Sequence, residues 1–250
     1  MGRPAYSFIR DFEPEPTRQL CVDSHYLLCA SRGALRLEAG GTVWSLPPAR
    51  AALITAGHPI EVTIPQPVTT ASILVSTDFA PNPPALLSVF DLTPLARSLV
   101  AECGQWGESD APLDDYSVAM FTALIAATWA LAEHPSPARM PAGRSAETRR
   151  ALALTEQRLA DDPRIDEIAA AVGLTSRSLA RRFAAELGMT WRAALRRMRI
   201  LRAIEMLASD DASVTAIAMR VGYTSLSAFQ AAFGELTGQT PSEYRHGFHP

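Results

Sequence analysis

From His25 to Ser76 the chain is a series of short apolar runs separated by turn signals: HYLLCAS, ALRLEA, TVWSL, AALITA, IEVTI and TTASILVS. Runs of this length, bounded by Gly and Pro, read as strands. Gly40-Gly41 between ALRLEA and TVWSL is a two-residue hairpin signal, while Pro47-Pro48, Gly57 and Pro65 interrupt the others. Six strands in about 50 residues predict an antiparallel barrel or sandwich, placed within residues 1–78. After the Pro-rich break at 81–84 the period becomes helical. Pro94 opens an amphipathic stretch to Cys103, as an early helix residue would. Asp114 and Asp115 suit the start of a second helix, and Tyr116 to Glu133 is apolar on most sides. So wide an apolar surface needs cover, either from the core of its own domain or from a second copy of the chain. Residues 134–145, HPSPARMPAGRS, have no apolar period and read as a linker. Beyond them the chain is helical in pattern throughout.

The helical part contains an internal repeat. Ile168, Ala169, Val172, Gly173, Thr175 and Ser176 recur 49 residues later as Ile217, Ala218, Val221, Gly222, Thr224 and Ser225. After one inserted residue, Phe183, Gly188 and Thr190 recur at a spacing of 50 as Phe233, Gly238 and Thr240. Each unit reads as a short apolar helix, a Gly followed by an apolar residue, and Thr-Ser capping a second helix. That layout is a helix-turn-helix, in which Gly takes positive φ at the turn and the small Ala169 and Ala218 allow close approach. Thr190 to Ala208 reads as one helix of about 19 residues and on the order of 28 Å. A B-DNA turn is about 34 Å, so this rod has the length to hold two second helices in successive major grooves. Arg192, Arg196 and Arg199 share one face of it by their i, i+4, i+7 spacing, suited to the phosphates between the grooves. Leu179, Phe183, Leu187, Trp191, Phe229 and Phe233 are core by spacing.

Charge sharpens the division. All 23 basic residues are Arg, with no Lys, in a chain of 250 residues and net charge −3. Residues 1–140 hold 8 Arg against 14 acids, a balance of −6, and residues 141–250 hold 15 Arg against 12 acids, a balance of +3. Thr175 to Arg202 alone carries eight Arg against one acid, Glu186. Arg forks onto phosphate or a guanine edge, so the cluster is a candidate nucleic-acid surface, with a solvated helix face as the alternative. The 48% hydrophobic and 20% charged composition is that of a globular chain, not a collagenous or disordered one. No apolar run is read as approaching the roughly 18 residues of a membrane span, and the start shows no secretory pattern, so a cytoplasmic address without membrane association is expected. Cys21, Cys29 and Cys103 are too few and scattered for a disulfide framework or a zinc site and are expected as buried thiols.

On these residues the segment from Arg164 to Arg245 resembles the DNA-binding domain of the AraC/XylS family of transcription regulators. It ends in the family's signature: Ala228-Phe229, Phe233, Thr237-Gly238, Thr240-Pro241-Ser242 and Tyr244-Arg245. The first half resembles the cupin-like sensing arm that many members carry, at Gly33, Ser45-Leu46-Pro47-Pro48 and Ala56-Gly57. The resemblance implies a two-domain α+β chain. An N-terminal antiparallel cupin-like β-barrel with helices would occupy 1–133, with the helical part at 93–133. The linker at 134–145 and a C-terminal all-α tandem helix-turn-helix domain at 146–250 would follow, with units at about 165–187 and 214–237. It implies base contacts from Ser176, Arg177, Ala180 and Arg181 in the first unit and from Ser225, Leu226, Ser227 and Gln230 in the second. Ala231 stands where the family often has Arg, so the second unit is expected to contribute positioning, thymine-methyl contact or shape readout. Arg182 points about 100° from the first pair and joins Arg192, Arg196 and Arg199 as an expected phosphate contact. The implied partners are double-stranded DNA, RNA polymerase, a second copy of the chain and a small effector.

Cupin enzymes hold a metal with two His one residue apart, a carboxylate and a later His. Here His25 stands alone with Asp23, and His58 lies in a Gly-His-Pro turn, so neither metal nor other cofactor nor catalytic residue is expected. What remains is an effector pocket, for which His25, Tyr26 and Trp44 are the candidates, or a barrel that only dimerises. The competing function classes are a metal-dependent cupin enzyme fused to DNA-binding helices and a protein interaction module.

Overall fold

Alternation along β3 (His25–Arg32) sets the architecture of the first half: Leu27 and Cys29 point to one side of the sheet, Tyr26 and Leu28 to the other, and all four are buried. A strand buried on both faces requires a layer on each. The computed structural model, which describes residues 3–109, 111–209 and 211–246, supplies both. It divides into two units, one running to Leu37 and resuming over Ser45–Ser136, the other comprising Glu38–Trp44 and Pro137–His246. The architecture is α+β, with antiparallel sheets in the first half and helices in the second.

In the first unit β1 (Ala5–Phe12), β8 (Val68–Val75), β3, β6 (Arg50–Ile54) and β9 (Leu87–Asp91) form a five-stranded sheet in that order, antiparallel at every step. A second layer pairs β2 (Glu15–Leu20) antiparallel with β7 (Ile60–Ile64). β4 (Leu35–Ala39) and β5 (Thr42–Leu46) turn at Gly40 and Gly41, whose φ of +55° and +74° are those of a tight hairpin. Among the described residues of this unit, three strands lie outside the expected six. β1 and β9 flank the first sheet, and β2, carrying Pro16 and mostly exposed, is an edge strand whose polar sequence hides it.

Leu27, Cys29, Ala51, Leu53, Ile73 and Val75 face two helices, α1 (Pro94–Cys103) and α2 (Asp115–Ala132), in a core completed by Leu99, Phe121 and Leu124. Thr93 caps α1, accepting from the Ala96 N–H, and Asp114 caps α2, accepting from the Ser117 N–H at 2.8 Å. The opposite face, with Tyr26, Leu28, Ile54 and Leu74, is buried as well, as are Leu35, Leu37, Val62 and Ile64 of the second layer. Arg50, 1% exposed, donates from Nε to Asp91 at 2.8 Å and from Nη2 to Ser136. It ties β6 to β9 and to the chain leaving α2. Cys29 and Cys103 are buried, and burial pushes each thiol up to about 12, which makes them inert; Cys21, expected buried, is exposed.

In the second unit β10 (Met140–Pro141) pairs with Thr42 and Val43, and seven helices follow among the described residues. They are α3 (Ala146–Gln157), α4 (Ile165–Ala171), α5 (Ser176–Leu187), α6 (Trp191–Ser209), α7 (Val214–Arg220), α8 (Leu226–Thr237) and α9 (Pro241–His246), with a 3-10 turn at Leu159–Asp161 after α3. The repeat places the core. Leu179, Phe183 and Leu187 of α5 meet Trp191, Ala194, Leu195 and Met198 of α6, with Ile168 and Ala169 of α4. In the second module Phe229 meets Tyr223 edge-on and Phe233 at a tilt, and Phe233 meets Tyr244 edge-on.

Candidate nucleic-acid interface

The two helix-turn-helix modules, α4 to α5 and α7 to α8, turn by the same device. Gly173 and Gly222 sit at φ +74° and +89°, and the next residue's N–H returns to the first helix, Leu174 to Ala169 and Tyr223 to Ala218, each at 2.9 Å. The modules then part by one residue. Thr175 caps α5, accepting from the Ser178 N–H, whereas in the second module Ser225, not Thr224, caps α8 and accepts from the Ala228 N–H. The inserted residue therefore lies within the second turn, and along the helices the correspondence runs at a spacing of 50. Arg177 answers to Ser227, Ala180 to Gln230 and Arg181 to Ala231.

Of the eight arginines between Thr175 and Arg202, five are committed to partners within the chain. Arg182 reaches Glu147 at 3.5 Å and Glu186 at 3.7 Å. Arg196 is paired with Glu235 of α8, and Arg202 with Glu205 at 2.7 Å. Arg197 donates to the carbonyls of Pro137 and Arg139, and burial lowers its pKa. Arg199, whose side chain is 11% exposed, donates from Nε to the Leu159 carbonyl at 3.0 Å, pairs with Asp162 and lies over the Tyr223 ring. Its place in an outward-facing stripe with Arg192 and Arg196 thus gives way to a clamp joining α6, the 3-10 turn and the second turn. Spacing alone overlooked this, because the carbonyl that captures Arg199 lies 40 residues away. The remaining three, Arg177, Arg181 and Arg192, are exposed and make no hydrogen bond or ion pair among the described residues.

The other residues of interest sit as follows. Ala180, Ser227 and Gln230 are exposed, Ser176, Ser225 and Leu226 half-buried, and the Ser225 and Ser227 hydroxyls lie 2.8 Å apart. Glu186, the one acid in the cluster, braces α3. It accepts from the backbone N–H groups of Arg144 and Ser145 and from the Ser145 hydroxyl, each within 2.8 Å. Burial alone would raise its pKa, but these donors hold it down at about 2.

The segment that carries these two capped modules matches known proteins. The family described as a helix-turn-helix domain matches residues 147–247. That match covers both helix-turn-helix modules. The HTH-type transcriptional activator RhaS of Escherichia coli (strain SE11) is 32% identical over 96 residues, 38% of this chain and 34% of that protein. The xylose operon regulatory protein of Escherichia coli (strain K12) is 33% identical over 82 residues, 33% of this chain and 21% of that protein. The chain thus spans about a third or less of the length of these curated relatives. Among solved structures, a transcriptional regulator described as an AraC-type DNA-binding domain-containing protein from Chromobacterium violaceum is 27% identical with a TM-score of 0.39, over 40% of this chain and 89% of that one.

In the first unit the candidate effector residues do not converge. His25 is fully buried; its Nδ1 accepts from the Ala56 N–H at 3.2 Å, its ring stands edge-on to Trp129, and burial lowers its pKa. The Tyr26 hydroxyl is paired with Ser72 at 2.8 Å. Trp44 lies in the hairpin tip that belongs to the second unit. A cavity of about 330 Å³ opens instead beneath α1, and none of the three lines it. Among the described residues no group of three or more His, Cys, Asp or Glu comes together as metal ligands.

Proposed function

We propose that the chain is a sequence-specific DNA-binding transcription regulator whose two modules enter successive major grooves. The observation that carries this is the selective availability of arginine: five of eight are held by the protein, while Arg177 and Arg181, one turn apart on α5, are bare. Each is positioned to fork onto a guanine edge, a contact that discriminates by about 1–3 kcal/mol. Arg192, at the start of α6, takes a phosphate, and Arg196 takes another once it leaves Glu235. Arg182 and Arg199 serve mainly to hold helices in place. In the second module Gln230 offers an adenine contact, while Ser227, Leu226 and Ala231 offer small polar and methyl surfaces.

Regulation places further partners on the first unit. The chain acts as a homodimer through α2, whose outward positions Val118, Ala119, Thr122, Ala126 and Ala130 are exposed and uncharged, and RNA polymerase is the partner that control at a promoter requires. A small effector held by the first unit biases DNA binding. Selection of bound duplexes from a random pool tests the central claim. Arg177→Ala and Arg181→Ala should each relax preference at one position, while Arg192→Ala should weaken all sequences alike and lower the log-log salt slope by about 0.9. Unaltered base preference in both α5 variants would leave the protein-interaction reading in its place.

A further inference from the structure

The two modules approach one another where the second one turns. At Gly222, φ +89°, an added Cβ would stand 2.3 Å from the Leu159 carbonyl oxygen and 2.8 Å from Nη2 of Arg199. A Cβ does not fit there, so the turn of the second module seats directly on the 3-10 turn ahead of the first. Leu159 belongs to the first module by its packing, being buried with Ile168, Leu179 and Phe183. Tyr223, next to Gly222, belongs to the second, with its ring edge-on to Phe229 of α8.

Arg199 stands between these two surfaces. Its Nε donates to the Leu159 carbonyl at 3.0 Å and its Nη2 reaches Asp162 at 3.4 Å, while the guanidinium lies 5.9 Å from the centre of the Tyr223 ring. Both oxygens come from the segment leading into the first module, and the ring comes from the turn of the second. Asp162 is the one non-glycine residue at positive φ among the described residues, +48°, a conformation that Asp tolerates better than most side chains. A phosphate contact requires an exposed cation, whereas the Arg199 side chain is 11% exposed. Withdrawing it from either side would leave a charge in low dielectric without its partners.

The stiffness of α6 does not by itself fix the mutual angle of the second helices, because a module can pivot on the helix it packs against. A planar fork bonded to one module and laid on a ring of the other opposes that pivot. The angle matters to a duplex, in which successive major grooves lie about 34 Å apart and each added base pair moves the second by about 3.4 Å and roughly 34°. We infer that Arg199 is a positioning residue that sets the separation of the two boxes read by the protein. By locking the turn of the second module to the entry of the first, it holds α5 and α8 at one angle, and the DNA selected carries both boxes at a single spacing. The inference rests on the reading of both modules as groove-entering and supplies what the protein measures along the duplex.

Two measurements on the full chain test it, with Arg199→Gln and Arg199→Lys as variants. The first uses no DNA. Spin labels on Ala180→Cys of α5 and Ala231→Cys of α8, both exposed positions, in a Cys21→Ser background, report the distance between the two helices by pulsed electron spin resonance. The unaltered Arg199 should give one narrow distribution. Both variants should broaden it, Arg199→Lys included, because an ammonium cannot serve a carbonyl, a carboxylate and a ring at once. Melting curves read stability separately, and Arg199→Lys, which keeps the charge and the stem, carries the test if Arg199→Gln does not fold. The second measurement selects duplexes from a random pool and titrates the selected site with one base pair inserted between the boxes. Insertion should weaken binding by the unaltered chain at least about tenfold, the size of one lost base contact, and by each folded variant less than about threefold, with base preference inside the boxes unchanged. Distances as narrow in Arg199→Lys as in the unaltered chain would overturn the assignment, as would broadened distances with the insertion penalty intact. An unaltered chain that selects no duplex would instead remove the groove-entering reading, while the spin-label distances still judge the clamp.

Discussion

Glycines at equivalent points of a repeat need not carry equal weight. At Gly173 an added Cβ meets nothing within 4 Å, so the cost of Gly173→Ala is that of the left-handed backbone, about 1–2 kcal/mol. At Gly222 the same atom would lie 2.3 Å from the Leu159 carbonyl oxygen and 2.8 Å from Nη2 of Arg199. Gly222→Ala should therefore add the loss of the Arg199 clamp to the backbone strain and exceed its counterpart by at least about 2 kcal/mol in urea melts. Glu186 yields a pH prediction. Its folded-state pKa, about 2, lies below the ordinary value of 4.5, so its contribution is complete above pH 4.5 and is lost as pH falls toward 2. Glu186→Gln should remove stability on the order of 1–3 kcal/mol at neutral pH and flatten the acid limb of the stability curve. A variant with the same acid limb as the unaltered chain would show that the brace on Arg144 and Ser145 is not energetic.

At the level of helices and strands, the ion pair between Arg196 of α6 and Glu235 of α8 makes a separable prediction. Glu235→Gln should release a cation and tighten binding to every duplex, several-fold at low salt, without altering base preference. In the double variant with Arg196→Ala that gain should vanish, which gel-shift titrations read as a coupling between the two positions. Neither partner advertised the other in the sequence, since 39 residues separate them. The helices themselves were legible because capping residues and apolar spacing are local: Pro94, Asp114, Thr175 and the 19-residue α6 all stand where the pattern put them, within a residue. The edge strands β1 and β2 were not, because a strand with one neighbour and one wet face needs no apolar alternation. Which arginines stay bare was equally invisible, being decided by carbonyls and carboxylates brought in from far along the chain.

For the whole molecule the unsettled surface is α2. Among the described residues it is the one helix with the length and apolarity of a membrane span, 18 residues at a mean hydropathy of 1.3 with 28% of them buried, which corrects the expectation that no run approaches that size. Ser117, Phe121, Leu124, Thr128 and Ala132 pin one stripe of it to the first unit. If α2 is the dimer seam proposed above, a charge placed on the opposite stripe, Ala126→Glu, should shift the protein from dimer to monomer in light scattering and lower its affinity for a two-site duplex. A monomeric unaltered chain would remove α2 from the account of regulation. The unequal side chains on α5 and α8 have an evolutionary consequence. On the proposed reading one box of an operator would face two forked guanidiniums and the other an amide, a hydroxyl and a methyl, so control regions bound by the protein should hold the first box nearly fixed while the second drifts. Aligned control regions would then look lopsided, and a search for matched repeats would pass over most of them.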